Sequence, residues 1–360
     1  MTSSEQGGAE AHVQRLWTDP RVASVARAHL LGSLPRWSET GLPATDIGST
    51  DKWSARHAAR SVVGIPYVRT RGLREIARVD DVERFTAYYA SFKREQVLFT
   101  PALSRSAPVV WMEHGHFPVG RLRGPLLRAY RRSSRHVSAI VCVSDSVRDE
   151  IAGLLHPVAP EFAVIENTLD PRWTAPADDA QRAEARRALG IADDASPVVV
   201  AVARLIPRKR IALAIDAMRH LPTGRLIVCG DGPEGPALRA RAAGSDRILF
   251  TGHLPDPRPV YAAADVSLLI SWEEGFGQVL VEGALAGLPA VVAADGGFAE
   301  RVSGWGAVAA EPTPEAVAEA IVAATRIPAA APRAWAEARS PERWAAAHLA
   351  LLRRVTARRA

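Results

Sequence analysis

Ser271-Trp-Glu-Glu-Gly-Phe-Gly-Gln-Val-Leu-Val-Glu-Gly-Ala-Leu-Ala-Gly-Leu-Pro289 follows directly on an apolar run at 266–270. The pattern predicts a strand ending near Ile270, a glycine-containing loop over Gly275, Phe276 and Gly277, and a helix that opens around Gly277. The first N–H groups of such a helix have no partner within it and form an anion site beside Glu274. Glu282 then projects about one turn further along the helix. A carboxylate suits a neutral polyol there, because its two oxygens accept from two vicinal hydroxyls of a ribose. Two acids flanking an anion site repel a bare phosphate but grip the sugars on either side of one. In the alternative reading, Glu274 only satisfies the helix dipole and Glu282 faces solvent.

Outward from this stretch the alternation continues. β-Branched runs at 198–203, 225–229, 247–251, 266–270, 290–293 and 307–310 are separated by helical stretches at 210–220, 234–243, 257–264, 277–286 and 314–326. Near-continuous apolar strands joined through helices predict a parallel sheet covered on both faces, a doubly wound α/β domain. The first half alternates less clearly, with candidate strands at 29–32, 85–92, 109–113, 138–143 and 163–166 and helices at 10–17, 94–103, 124–135 and 146–155. The junction is expected at 171–176, with Asp178 and Asp179 as helix caps. A final helix at 341–359, opened by Ser340, carries Trp344, His348, Leu351, Leu352 and Val355 at helical spacing, so one face packs on a surface.

With 360 residues and 48% hydrophobic content there is material for two packed cores, which excludes a disordered or fibrous chain. The 45 basic against 39 acidic residues leave +6, too small and dispersed a surplus to mark a nucleic-acid binder. All but Lys52, Lys93 and Lys209 of the basic residues are arginine, so a lysine kept against that bias draws notice. Cys142 and Cys229 sit in apolar runs, where free cysteine behaves as a small hydrophobe, and supply neither a disulfide framework nor a zinc site. The polar N-terminus lacks signal-peptide order and no apolar run approaches a membrane span, so a reduced, cytoplasmic location is expected.

Two further motifs lie near strand ends. Gly230, Gly232 and Gly235 superficially fit a dinucleotide-binding turn, but the next strand ends in Gly252 and His253 with no acid for a ribose, so they read as a tight strand-to-helix turn. Arg204 and Lys209 flank the loop after the strand at 198–203 and converge on a diphosphate, Arg as a planar fork and Lys as a point charge. Their neighbours Arg208 and Arg210 could simply be solvated surface, which is what a charge run taken alone usually is.

Taken in order, Val-Ala-Arg204-Leu-Ile-Pro-Arg-Lys209, Val-Cys-Gly-Asp-Gly-Pro233, Phe250-Thr-Gly252, Ala-Asp265-Val, Glu274 and Glu282, Gly287-Leu-Pro289 and Asp295-Gly-Gly297 strongly resemble the C-terminal half of the GT-B glycosyltransferases related to family 4. Gly7-Gly8-Ala9-Glu10, Val110-Trp-Met-Glu113-His114-Gly115, Val141-Cys-Val-Ser144-Asp-Ser-Val-Arg and Ile165-Glu-Asn167-Thr-Leu-Asp170 look like that family's N-terminal loops. The resemblance implies two Rossmann-like doubly wound domains facing a cleft, with a C-terminal helix crossing back. Residues 1–174 would form the acceptor-side domain, 175–331 the nucleotide-sugar-binding domain and 332–360 a helical tail.

It also implies retaining transfer from a nucleoside-diphosphate sugar to a saccharide, lipid-linked or small-molecule hydroxyl acceptor. Arg204 and Lys209 would neutralise the leaving diphosphate, and Glu282 would hold the ribose. Glu274 with the Gly275 to Gly277 backbone would hold the donor sugar, Gly7 and Gly8 would approach the donor, and Gly252, His253 and Leu254 would line the base pocket. His114 would approach the sugar, with His116 a rival two residues away; either could instead be an ordinary buried histidine. No Asp-x-Asp stands at a strand end, so neither metal nor cofactor is expected. The competing readings are a GT-B nucleotide-sugar epimerase and a catalytically silent binding module of the same fold.

Three departures from the family pattern stand out. The family usually begins with a strand before the Gly-Gly loop, and here only Met1 to Gln6 precede Gly7; a recorded start too late in the reading frame, favoured, competes with a depleted domain. Arg210 stands where glycine often follows the lysine, and Thr168 replaces the glycine after Asn167. Apart from these departures, 121–135 holds Arg121, Arg123, Arg128, Arg131, Arg132 and Arg135 with Leu122, Leu126, Leu127 and Tyr130 between them. This is either a solvated helix face or a peripheral contact with anionic lipid.

Overall fold

The structure, a computed structural model, describes residues 8–32, 37–47, 58–120, 123–158, 160–168, 176–192, 194–272 and 274–358. The chain divides into two compact units, Met1–Asn167 with Pro341–Ala360, and Thr168–Ser340.

In the first unit α1 (Gly8–Thr18) and the short α2 (Pro20–Ala23) precede β1 (Leu30–Leu31) and β2 (Ala44–Thr45). There follow α3 (Ala58–Glu83), β3 (Tyr88–Ala90), α4 (Lys93–Leu103), β4 (Val109–Glu113), α5 (Arg123–Ser134), β5 (Ala139–Cys142), α6 (Asp145–Leu155) and β6 (Glu161–Val164). β3 to β6 lie in chain order in a four-stranded parallel sheet, while β1 and β2 pair in parallel with each other, Leu30 beside Ala44. The strands of this unit thus fall in two sheets. The segment before Gly7, where the family's first strand was expected to be missing, lies outside the described residues. β4 and β5 are buried along their whole length, which explains why they read as apolar runs, broken only by Glu113 at the end of β4. Ser144 caps α6 by accepting from the Val147 N–H.

The second unit runs α7 (Asp179–Ala188), β7 (Val198–Val202), α8 (Ile211–Ala217), β8 (Arg225–Cys229), α9 (Gly235–Arg241), β9 (Ile248–Gly252), α10 (Arg258–Ala263), β10 (Val266–Leu269), α11 (Gln278–Leu285), β11 (Ala290–Ala293), β12 (Gly306–Ala309), α12 (Pro314–Ala324) and α13 (Ala330–Glu337). Its six strands are parallel in the order β12-β11-β10-β7-β8-β9, the doubly wound arrangement. Alternate strand residues serve opposite faces. Val199, Ala201, Leu226 and Val228 pack with Ile211 and Ile215 of α8 and Ile321 of α12. Val198, Val200, Ile227 and Cys229 pack with Ala185 of α7 and Val260 and Tyr261 of α10. Burying each such aliphatic side chain contributes about 1.5–3 kcal/mol, so the two layers carry the stability of the unit. Asp178 forms a capping box with Gln181 at the start of α7, as its position before the helix predicts. Cys142 and Cys229 are free and buried.

Asp265 acts at the opposite ends of the strands from the loops that follow β7 and β10. Its carboxylate accepts the Val198 N–H at 2.7 Å and pairs with Arg182 and Arg186 of α7, so this motif residue fastens a helix to the sheet. The stretch expected as one helical tail over 332–360 forms two helices. α13 lies in the second unit, and α14 (Pro341–Ala357) belongs with the first. Trp344, His348, Leu351 and Val355 of α14 are buried as their spacing predicts, and Leu352 is half-buried.

Candidate active site

In a doubly wound sheet, ligands bind beyond the carboxyl ends of the strands where the strand order reverses. From β7 the second unit proceeds outward through β8 and β9 on one side, and through β10, β11 and β12 on the other. The reversal therefore falls between β7 and β10, and the loops that follow these strands hold Arg204, Lys209, Glu274 and the start of α11.

These loops are locked to their neighbours by main-chain bonds. Leu205 N–H donates to Asp231 at 2.9 Å, Glu234 N–H donates to Leu205 at 3.0 Å, and Trp272 N–H donates to Arg208 at 3.2 Å. A Cβ on Gly230 would lie 1.9 Å from the Ala203 carbonyl oxygen, and one on Gly232 would lie 2.4 Å from that of Leu205. Two of the three glycines that mimic a dinucleotide motif, Gly230 and Gly232, are thus needed for close packing of two loops, whereas a Cβ on Gly235 would make only an ordinary 3.7 Å contact with Leu205. At Gly277, which precedes α11 with φ 73°, a Cβ would meet Leu269 Cδ2 at 2.8 Å. Gly275 and Phe276 are buried, and Arg301 lies over the Phe276 ring at 4.9 Å while donating to its carbonyl at 2.9 Å.

The structure brings Lys209 and Glu274 into direct contact, ammonium to carboxylate, at side-chain exposures of 13% and 16%. A solvated-surface reading of Lys209 is thereby replaced by a partly buried ion pair joining the two loops. Arg204 is exposed at the mouth of the β7 loop. Glu282 is half-buried on α11, and its Oε2 accepts from the Tyr261 hydroxyl at 2.9 Å. Burial first, then the Glu282 charge, pushes the Tyr261 hydroxyl well up, so it stays protonated and donates. Gly252 has φ 72°, and its carbonyl accepts from Gly230 N–H at 2.8 Å. The His253 N–H is taken by Asp231 Oδ2 at 2.8 Å, so of the main-chain donors expected at Gly252, His253 and Leu254 this one is already engaged.

Arg210 answers one departure from the family pattern. It adopts φ 52°, the left-handed conformation that favours glycine, and its guanidinium grips Asp295 with two bonds of 2.6 and 2.5 Å while lying over the Trp272 ring at 5.1 Å. The bidentate pair offsets backbone strain of order 1–2 kcal/mol. It also holds Asp295 below its usual carboxylate range. Sequence reading missed this pair and the Tyr261 contact. Asp295 stood in a recognised motif, yet 85 residues separate it from Arg210.

In the first unit Gly8 opens α1, and Gly7 lies outside the described residues. His114 follows β4 directly. Burial, then the Lys93 charge, lowers its pKa to about 3, which keeps the ring neutral at ordinary pH. Its two ring nitrogens are buried with no hydrogen-bond partner among the described residues. His116 instead shares a 2.6 Å contact with Glu150. Of the two rivals, His114 is the one with ring nitrogens uncommitted. Behind it, Glu113 is buried between the Lys93 ammonium and the Tyr130 hydroxyl, the latter donating at 2.7 Å. Among the described residues no group of three or more His, Cys, Asp or Glu is arranged to hold a metal ion.

Comparisons with known proteins bear on the family and the fold. A family model described as glycosyl transferases group 1 matches 196–326, and one described as glycosyltransferase family 4 matches 64–173. The chain is 30% identical over 194 residues to a 2-deoxystreptamine glucosyltransferase of Streptomyces kanamyceticus, covering 51% of this chain and 50% of that protein. It thus spans about half the length of that relative. It is 28% identical to a GDP-mannose-dependent alpha-(1-6)-phosphatidylinositol monomannoside mannosyltransferase of Mycolicibacterium smegmatis, covering 82% of this chain and 79% of the other. Among solved structures, a glycosyltransferase from Rickettsia africae superposes with TM-score 0.81 at 14% identity, covering 99% and 97% of the two chains. Anabaena HepE in complex with UDP and glucose gives TM-score 0.73 at 20% identity, covering 94% of each. These likenesses show the GT-B fold.

Proposed function

Because the chain belongs to the group 1, family 4 glycosyltransferases, we propose that it is a retaining enzyme that moves a sugar from a nucleoside diphosphate to a hydroxyl acceptor. The observation that carries this reading is the partly buried Lys209–Glu274 pair beside the start of α11, one turn from Glu282, at the switch point of the sheet.

As the bond between sugar and phosphate loosens, negative charge grows on the diphosphate and positive character on the sugar. Arg204, Lys209 and the positive end of α11 stabilise that growing charge more than they stabilise the ground state. Glu282, oriented by the Tyr261 hydroxyl, accepts from the ribose hydroxyls. Glu274 and the backbone of Gly275 to Gly277 hold the donor sugar. Neutral His114 offers a ring N–H to a sugar hydroxyl without adding charge. The departing phosphate oxygen takes the proton of the acceptor, so no strong base is required. Turnover therefore continues in EDTA, and a preparation inactive until Mg²⁺ or Mn²⁺ is added contradicts this charge arrangement.

The donor is a UDP, GDP or ADP sugar, and the acceptor a saccharide, lipid-linked or small-molecule alcohol. The mannosyltransferase relative's name makes GDP-mannose one first probe, and the UDP and glucose held by the HepE neighbour make a UDP-hexose the other. A mass-spectrometric screen of purified protein against these donors tests the reading. Transfer or slow hydrolysis supports it, interconversion of sugar epimers assigns an epimerase, and binding without turnover assigns a silent module.

A lipid-linked acceptor would suit α5, where Arg123, Arg128, Arg131 and Arg132 are exposed, followed by exposed Arg135. Arg121 and Leu122 lie outside the described residues. No helix among the described residues is long and apolar enough to cross a membrane. Contact would thus be peripheral and electrostatic, and flotation with anionic but not neutral liposomes tests it.

A further inference from the structure

Three histidines from distant parts of the sequence meet inside the first unit. His12 of α1 stands edge-on to His114, with ring centroids 5.3 Å apart at 74°. It also stands edge-on to two residues of α14, Trp344 at 5.1 Å and 88° and His348 at 5.7 Å and 62°. Trp344 and His348 meet each other edge to face at 5.1 Å. His348 is anchored in turn, its Nδ1 lying 3.0 Å from the Tyr89 hydroxyl of β3. Phe92 packs on His114 at 6.3 Å. His12 and His348 are both buried, and burial holds both rings neutral, so the cluster is knit by ring edges and faces and not split by like charges.

His114 has no hydrogen bond among the described residues to fix its ring. Its orientation depends on the rings around it. Of these, His12 is the one that also touches the C-terminal helix through two residues. We propose that His12 is a positioning residue that transmits the docking of α14 to His114, so that Trp344 and His348 help set the orientation of the histidine facing the donor sugar. This rests on the role given to His114 above. A misplacement of about 1 Å at a reacting centre is enough to cost about a hundredfold in rate, so a ring contact remote from the sugar is able to govern turnover.

The test uses the full-length protein with the donor that turns over in the screen. His12→Leu is expected to lower kcat about tenfold to a hundredfold with little change in donor KM. His12→Phe, which keeps a ring in place, is expected to restore most of that loss. Added to His114→Ala, the His12→Leu change is expected to cost nothing further, because it acts only through the ring already removed. Independently of any donor, the His114 ring resonances of histidine-labelled protein are expected to move in both His12→Leu and His348→Leu. Equal losses for Leu and Phe at position 12, a full further loss in the double variant, or His114 resonances unmoved by His348→Leu would each overturn the proposal. If His114→Ala alone retains wild-type kcat, the role of His114 fails, and the resonance measurement alone decides whether His12 holds the ring.

Discussion

Replacing Lys209 by Ala separates the chemical from the structural role of the central ion pair. The ammonium contacts the Glu274 carboxylate at 13% exposure, where the surrounding protein screens it less than water would. Removing one preorganised charge-stabilising donor typically costs about a hundredfold to a thousandfold in kcat, about 2.7–4 kcal/mol of transition-state stabilisation. The same change leaves Glu274 without its partner. A fully buried carboxylate stripped in this way costs about 3–5 kcal/mol, and one with part of its surface in water costs less, about 1–3 kcal/mol. The expected outcome is a donor-turnover kcat down by two to three orders of magnitude together with a melting temperature a few degrees lower. Combining Lys209→Ala with Glu274→Gln removes the orphaned charge, so the melting temperature recovers while kcat does not. Steady-state donor hydrolysis read beside a thermal melt distinguishes the two effects. A folded Lys209→Ala enzyme whose kcat stays within about fivefold of wild type, a barrier change near 1 kcal/mol, refutes the assignment of Lys209 to the leaving group.

Gly277→Ala combines a left-handed backbone with a Cβ 2.8 Å from Leu269 and 3.2 Å from Phe298, so a stability loss of about 2–4 kcal/mol is expected in denaturant titration. Tyr261→Phe removes the 2.9 Å bond that orients Glu282 and should raise donor KM with kcat nearly unchanged, as measured by initial rates. The pH dependence follows from the buried histidines. Burial lowers His114 and His348 from 6.5 to about 3, so the unfolded chain binds more protons between these values. Their contribution to stability is therefore present in full above pH 6.5 and is lost as pH falls toward 3, with a slope approaching about 1.4 kcal/mol per pH unit for each. Melts from pH 7.5 to 4.5 should show this decline, and His348→Phe should flatten it; a melting temperature independent of pH in wild type contradicts burial of the rings.

What sequence made legible follows from how each feature is built. β4, β8 and β11 appear over the residues at which they were expected, because a parallel strand buried on both faces must be apolar along its length. The loop, glycine and acid order of 271–289 exposed the site because anion binding at a helix start is a local device. α3 was not foreseen, since Pro66 inside it reads as a break, and the helix owes its place to tertiary packing such as Gly72 against the Phe99 ring. β1 lies inside the candidate strand at 29–32, whereas β2, not foreseen, holds two residues, too few for a period. The Lys209–Glu274, Arg210–Asp295 and Tyr261–Glu282 contacts, and the meeting of His12, His114 and His348, join residues far apart in sequence. His348 was legible only as one apolar position of an amphipathic helix, because spacing reports a helical face and not what that face meets.

The central claim is that a diphosphate is neutralised by the cations that follow β7 while its ribose rests on α11. Crystals of the whole chain soaked with UDP, and separately with GDP, test it most directly. Density is expected for the phosphates within hydrogen-bonding distance of Lys209 and Arg204, and for the ribose hydroxyls on Glu282. A nucleotide bound with its phosphates away from Lys209, or with its ribose away from Glu282, contradicts it.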